Sequence, residues 1–113
     1  MATISVVIVA CESALLIQHC LTSLPAATSR HELEVCVVDN ASSDHSASLA
    51  ERYIPAAQVV RLSENRGFSA GVNAALARAT GTAIAVLNPD AAPHPGSLDT
   101  LMDLLSARPD AAL

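Results

Sequence analysis

The chain has 113 residues, 51% of them apolar and 2% aromatic, and a formal net charge of −5. That content suffices for one packed core and is too apolar for a disordered segment, leaving Val, Leu, Ile and Ala to fill the interior. The acidic balance and six scattered arginines with no lysine exclude nucleic acid as a partner, a P-loop with its phosphate lysine, and a phospho-acceptor receiver site.

Residues 3–10, TISVVIVA, form a β-branched apolar run without alternation, the pattern of a strand buried on both faces. The run is too short to cross a bilayer and lacks the basic flank and cleavage site of a signal peptide. We therefore expect no transmembrane segment and a cytoplasmic or membrane-peripheral location. Residues 13–24 place Leu16, Cys20 and Leu24 on one helical stripe, with Ile17 and Leu21 beside them and Pro25 as the stop.

A second strand, LEVCVVD (33–39), runs into the polar turn NASSD (40–44), whose Ser and Asp residues suit the cap of a helix over 45–53. A third strand, QVVRL (58–62), leads into SENRG (63–67). A small-residue helix follows over 68–79, with Arg78 in its last turn and Gly81 as its stop. The fourth strand, TAIAVL (82–87), meets Asn88, Pro89 and Asp90, then a Pro-rich loop carrying His94. A final helix over 97–107 stripes Leu98, Leu101, Met102 and Leu105. Cys11, Cys20 and Cys36 show neither metal spacing nor an even disulfide set, and are expected as buried reduced thiols.

Strands alternating with helices at this spacing predict an α/β, Rossmann-like three-layer sandwich: a mostly parallel four-strand sheet, order 3-2-1-4, with helices on both faces. In such sheets the ligand lies outside the carboxyl ends of the strands, where the winding reverses. Asp39 ends strand 2, and Asn88 and Asp90 follow strand 4. The order thus predicts that both polar clusters flank one crevice.

The segments ISVVIVACES (4–13), CLTSL (20–24), EVCVVDNASSD (34–44), ENRGFSAGVNAAL (64–76) and LNPDAAPHPGSL (87–98) resemble, in order and spacing, glycosyltransferase family 2, particularly its rhamnosyltransferase-like members with the GT-A fold. The resemblance covers essentially the whole chain and implies a nucleoside-diphosphate sugar as donor and a glycan or lipid-linked acceptor. It assigns Ala10, Glu12, Asp39, Asn65, Arg66, Gly67, Asn73, Asn88 and Asp90 to the nucleotide-sugar site. Asp39 would accept a hydrogen bond from the base. Asp90 would hold a divalent metal, Mg2+ or Mn2+, against the diphosphate, whose developing charge such an ion neutralises.

Each assignment has a plainer alternative. A carboxylate at a strand-to-helix turn can cap the helix, and Asp44 suits that role better than Asp39. Asn88, Pro89 and Asp90 also read as a turn, Arg66 as a solvated loop arginine, and His94 as an exposed histidine. Gly67 permits a backbone conformation closed to other residues, and the helix after it favours anions at its start.

Where the family usually carries Thr-Tyr-Asn, this chain has Ala10, Cys11 and Glu12, which removes stacking surface from the base and adds a negative charge. Family members continue for another hundred residues or more beyond the point matching Leu113, and that half brings the acceptor groove and the general base. No residue here matches the base, so no catalytic residue is assigned and the chain is expected to be a truncated donor half. A non-catalytic remnant or nucleotide-binding module is the alternative, and a dinucleotide-binding domain is disfavoured by the lack of G-x-G-x-x-G after strand 1. A sheet cut at strand 4 would expose an edge and favour self-association.

Overall fold

In the computed structural model, which describes residues 2–108, strand and helix alternate throughout. The elements are β1 (Thr3–Ala10), α1 (Ala14–Ala27), β2 (Glu32–Asp39), α2 (Ser46–Tyr53), β3 (Gln58–Arg61), α3 (Phe68–Leu76), β4 (Ala83–Leu87) and α4 (Ser97–Ala107). The strands form one parallel sheet in the order β3-β2-β1-β4, as the sequence predicts. Parallel neighbours cannot be joined by a tight hairpin, and here helices make the crossovers.

The central strand β1 is buried from Ile4 to Ala10, and its alternate residues feed two cores. Ile4, Val6, Ile8 and Ala10 meet Ile17, Leu21 and Leu24 of α1, Ala50 of α2 and Leu98 of α4. Val7 and Val9 face the other way with Cys36 and Val38, beneath Val72 and Ala75 of α3. Burial of one Val or Ile side chain is worth roughly 1.5–3 kcal/mol, so an unbroken apolar run at this position anchors both layers at once.

The edge strand β4 is covered on one face only. Ala85 and Leu87 pack into the first core, whereas Ile84 and Val86, level with Ser5 and Val7 of β1, remain 43% and 44% exposed. Helices lie on both faces of the sheet, as expected, but α3 packs over β1 and β2, which leaves this face of the edge strand open.

Several local expectations are corrected. Helix α1 does not stop at Pro25 but runs to Ala27. Proline's fixed φ is helical, and in a last turn it forfeits one bond to the carbonyl four residues back. The turn is held by buried Ala27 and by the Ala26 carbonyl, which accepts from the Gly96 N–H at 3.0 Å. The buried stripe of α1 is Ile17, Cys20, Leu21, Leu24 and Ala27. Leu16 lies one position off that stripe and is 54% exposed.

Helix α3 ends at Leu76, so Arg78 sits beyond it, in a turn where its N–H reaches the Ala75 carbonyl at 2.9 Å. Gly81 is therefore not a helix stop. Its N–H donates to Ser5 Oγ at 2.9 Å, and a Cβ there would come within 2.5 Å of that oxygen. The glycine is needed because the chain passes so close to β1.

Candidate functional site

The carboxyl ends of the strands define the site. Ala10, Asp39 and Arg61 are register partners closing β1, β2 and β3, and β4 leaves the sheet at Leu87, opposite Ile8. Asp39 and Asp90 therefore stand at the same end, on opposite sides of β1. Two inter-strand steps, roughly 10 Å, separate their strands. The winding reverses between β1 and β4, which is where open α/β sheets take their ligands.

Asp39 is 7% exposed, and its Oδ1 accepts the Ser42 N–H at 3.0 Å. Its Oδ2 accepts no hydrogen bond from the described residues. Asp44 does the capping instead: one oxygen accepts from the Ser46 N–H and hydroxyl, the other from the Ala14 N–H at 3.0 Å. The Ser46 hydroxyl, then the Ala14 N–H, hold the Asp44 carboxyl below the usual carboxylate range.

Beyond β4, the Ala91 N–H donates to the Asn88 carbonyl at 3.0 Å, closing a turn whose second position, Pro89, suits the fixed φ of proline. The turn presents Asn88 and Asp90 as exposed side chains, and no hydrogen bond from the described residues reaches the Asp90 carboxylate. Burial raises the Cys20 thiol to about 11, and Asp90 adds to the rise. That carboxylate thus acts within Coulomb reach of α1.

The loop after β1 is stitched to the loop after β2. Glu12 and Ala41 both adopt positive φ, 51° and 61°, conformations that non-glycine residues hold only when their surroundings compensate. The Glu12 N–H donates to Ser42 Oγ at 2.9 Å, and Glu12 Oε1 accepts the Ser43 N–H at 2.6 Å. The charge of Glu12 is thus met by the Ser43 turn. Arg66 pairs with Glu64 at 3.2 Å, both exposed.

Cys11 is exposed, contrary to the expectation of burial, because it has already left the sheet. Its sulfur receives the Asn65 Nδ2 at 3.3 Å, while Asn65 Oδ1 accepts the Gly67 N–H at 2.8 Å. Gly67 has φ +87° with open space around its Cα, so backbone conformation, not crowding, requires the glycine. The structure brings Ala10, Glu12, Asp39, Asn65, Arg66 and Gly67 to the β1, β2 and β3 side of this end. Asn73 is exposed on α3, two residues from both buried Gly71 and buried Ala75, and so lies about 200° around the helix from each.

Asn40, which no sequence argument singled out, is 3% exposed and joins these loops. Its backbone N–H donates to the Ala10 carbonyl at 2.8 Å, its Nδ2 to the Gly67 carbonyl at 3.0 Å, and its Oδ1 accepts the Arg66 N–H at 3.1 Å. Its partners lie 26 and 27 residues away, which no local pattern reports. Among the described residues no three His, Cys, Asp or Glu side chains are grouped to hold a metal, and no helix is long and apolar enough to cross a membrane.

Residues 5–113 match the family described as Glycosyl transferase family 2. No curated protein matches the chain at a significant level. Among solved structures, a mannosyltransferase from Pyrobaculum calidifontis in complex with GDP-Man and Mn2+ is 30% identical with a TM-score of 0.86, covering 93% of this chain and 32% of that one. TarS 1-349 of S. aureus in complex with UDP is 26% identical with a TM-score of 0.84, covering 93% of this chain and 32% of that one. The fold is shared also with glucosyl-3-phosphoglycerate synthase from Mycobacterium tuberculosis, 24% identical with a TM-score of 0.76, over 92% of this chain and 39% of that one. The chain thus spans less than half the length of these structures. With the sheet order, the crevice and the family match in agreement, the chain belongs to glycosyl transferase family 2.

Proposed function

We propose that residues 1–113 are the nucleotide-diphosphate-sugar-binding part of a GT-A glycosyltransferase domain. In this reading the part holds a nucleoside-diphosphate sugar and a divalent metal for inverting transfer of a hexosyl or rhamnosyl group to a glycan or lipid-linked acceptor, at a cytoplasmic or membrane-peripheral location. The observation that carries the reading is the placement of Asp39 and Asp90 at one end of the sheet, on either side of β1. Asp39 Oδ2 would accept from the base. Asn65, Arg66 and Gly67 would line the crevice beside it.

The metal fits a particular mode of binding. Asp90 offers one exposed carboxylate and Asn88 a neutral amide, and among the described residues no three His, Cys, Asp or Glu side chains are grouped to hold an ion by themselves. Such a set suits Mg2+ or Mn2+ that arrives with diphosphate oxygens, not an ion resident beforehand. When bound, the ion would neutralise charge on the diphosphate leaving group. The similar mannosyltransferase was solved with GDP-Man and Mn2+, and TarS 1-349 with UDP.

One observation favours a second reading, a nucleotide-binding module without transferase activity. The other carboxylates near the crevice are engaged: Glu12 with Ser43, Asp44 with two helix starts and Glu64 with Arg66. None of them is available as a general base for an acceptor hydroxyl. Thermal-shift titration with UDP-, dTDP- and GDP-sugars, with and without Mn2+, tests the shared premise. A metal-dependent rise for one nucleotide supports donor binding, and no rise for any, in a folded sample, contradicts it. Product formation by the 113-residue chain would eliminate the second reading.

A further inference from the structure

The crevice rim contains a closed polar circuit. Starting at the end of β1, the Ala10 carbonyl accepts from the Asn40 N–H at 2.8 Å. Asn40 Nδ2 donates to the Gly67 carbonyl at 3.0 Å, and the Gly67 N–H donates to Asn65 Oδ1 at 2.8 Å. Asn65 Nδ2 then reaches Cys11 Sγ at 3.3 Å, one residue beyond Ala10. Ala10 and Asn40 are the buried members of the circuit, and Asn40, 3% exposed, is the one that joins it through its side chain, whereas Cys11, Asn65 and Gly67 are exposed.

A buried amide is tolerated when its donor and acceptor are both satisfied, and Asn40 meets that condition through backbone groups of a single distant loop. Only a side chain with a donor and an acceptor can hold Gly67 and Arg66 together. Leucine of similar volume would leave both backbone groups without their partner, and aspartate would set a carboxylate oxygen against the Gly67 carbonyl. Asn40 also follows Asp39 directly. Any shift of the 65–67 loop is therefore referred to the strand end that carries the base-facing carboxylate.

We infer that Asn40 is a positioning residue: it fixes the Arg66–Gly67 backbone, and with it the start of α3, relative to Asp39, so that both sides of the nucleotide crevice are set before ligand arrives. The inference rests on the donor-site reading above. A crevice that is correctly set in only a fraction of the molecules binds its ligand more weakly by that fraction, so loss of this tie should be visible in affinity.

The test compares wild type with N40A, N40D and, as a control far from the crevice, G81A, whose Cβ would crowd Ser5 at the opposite end of the sheet. Titrations of UDP and GDP with Mn2+ are run at a temperature where circular dichroism shows every variant folded, and amide hydrogen exchange is read at Arg66 and Gly67. The expected result is a loss of nucleotide affinity of about tenfold or more in N40A and N40D, as the competent fraction falls to about a tenth, with faster exchange at the Arg66 amide in N40A. G81A should stay within about twofold of wild type despite a lower melting temperature, since its site is remote.

N40A binding as wild type does, or Arg66 exchange unchanged in it, overturns the inference. An equal loss in G81A also overturns it, because the effect would then be general destabilisation. If folded wild type binds neither nucleotide, the donor-site reading fails by a separate result, and the claim that Asn40 holds the loop is decided by the Arg66 exchange rate.

Discussion

The Asp44 carboxylate accepts the Ala14 N–H at 3.0 Å across 30 residues of chain, so the start of α1 is capped from the loop that opens α2. The same carboxylate accepts from the Ser46 N–H at 3.0 Å. Helix starts leave N–H groups without intrahelical partners, and one side chain here serves two of them. Replacement D44A should lower the melting temperature by several degrees. Differential scanning calorimetry checks this, and an unchanged midpoint would mean the double cap contributes nothing.

The acid limb of stability has a defined origin. Asp99 accepts from the Thr28 hydroxyl and from the Ser29 N–H at 3.0 Å, and these bonds bring its carboxyl down to about 2. Glu34, bonded by Thr80 and Ser5, is lowered too. A carboxyl depressed on folding adds stability that is fully present above its unfolded value, about 4, and is lost as pH falls through the folded value. Denaturant midpoints should thus hold steady above about pH 5 and fall from about pH 4 toward 2. D99N should flatten that fall while lowering the plateau, and an unaltered profile would remove Asp99 from the account.

Much of this fold is legible in the sequence because parallel strands announce themselves. TISVVIVA and LEVCVVD carry the apolar stretches 6–10 and 35–38 without alternation, and two-sided burial is the reason. The legible part of the candidate site is Asp39, Gly67 and the turn at Asn88 to Asp90, each at the boundary of a recognisable element. Asn40 was not legible, since its partners Arg66 and Gly67 are remote in sequence. Pro25 misled because a proline in a last turn forfeits only one hydrogen bond, and Gly81 because close packing on Ser5, not a helix cap, selects it.

Gly67 is sensitive to a single added methyl through its backbone conformation alone. Its φ of +87° with ψ of 174° lies in a region essentially reserved to glycine, and G67A should destabilise by about 1–3 kcal/mol. The open space around it means that no clash adds to this. Chemical denaturation measures the difference, and a loss near zero would show that the loop relaxes to a negative φ.

The half-covered face of β4 and the exposed Leu101 and Leu104 of α4, 42% and 51%, leave apolar surface beside an unpaired strand edge. Such an edge invites pairing. Light scattering of the 113-residue chain should show concentration-dependent association, reduced by I84K or V86K. A monodisperse monomer at high concentration would contradict this.

In the proposed donor site a metal-bridged nucleotide would lie between Asp39 and Asp90, and paramagnetic broadening reads location directly. Mn2+ added to the isotopically labelled chain with UDP or GDP should erase the amide signals of Asp90 and Ala91 first, then those of Cys11 and Gly67, and leave Thr80 and Gly81 at the opposite end of the sheet sharp. Broadening centred on Thr80 and Gly81, or none near Asp90 at saturating nucleotide, would contradict the account.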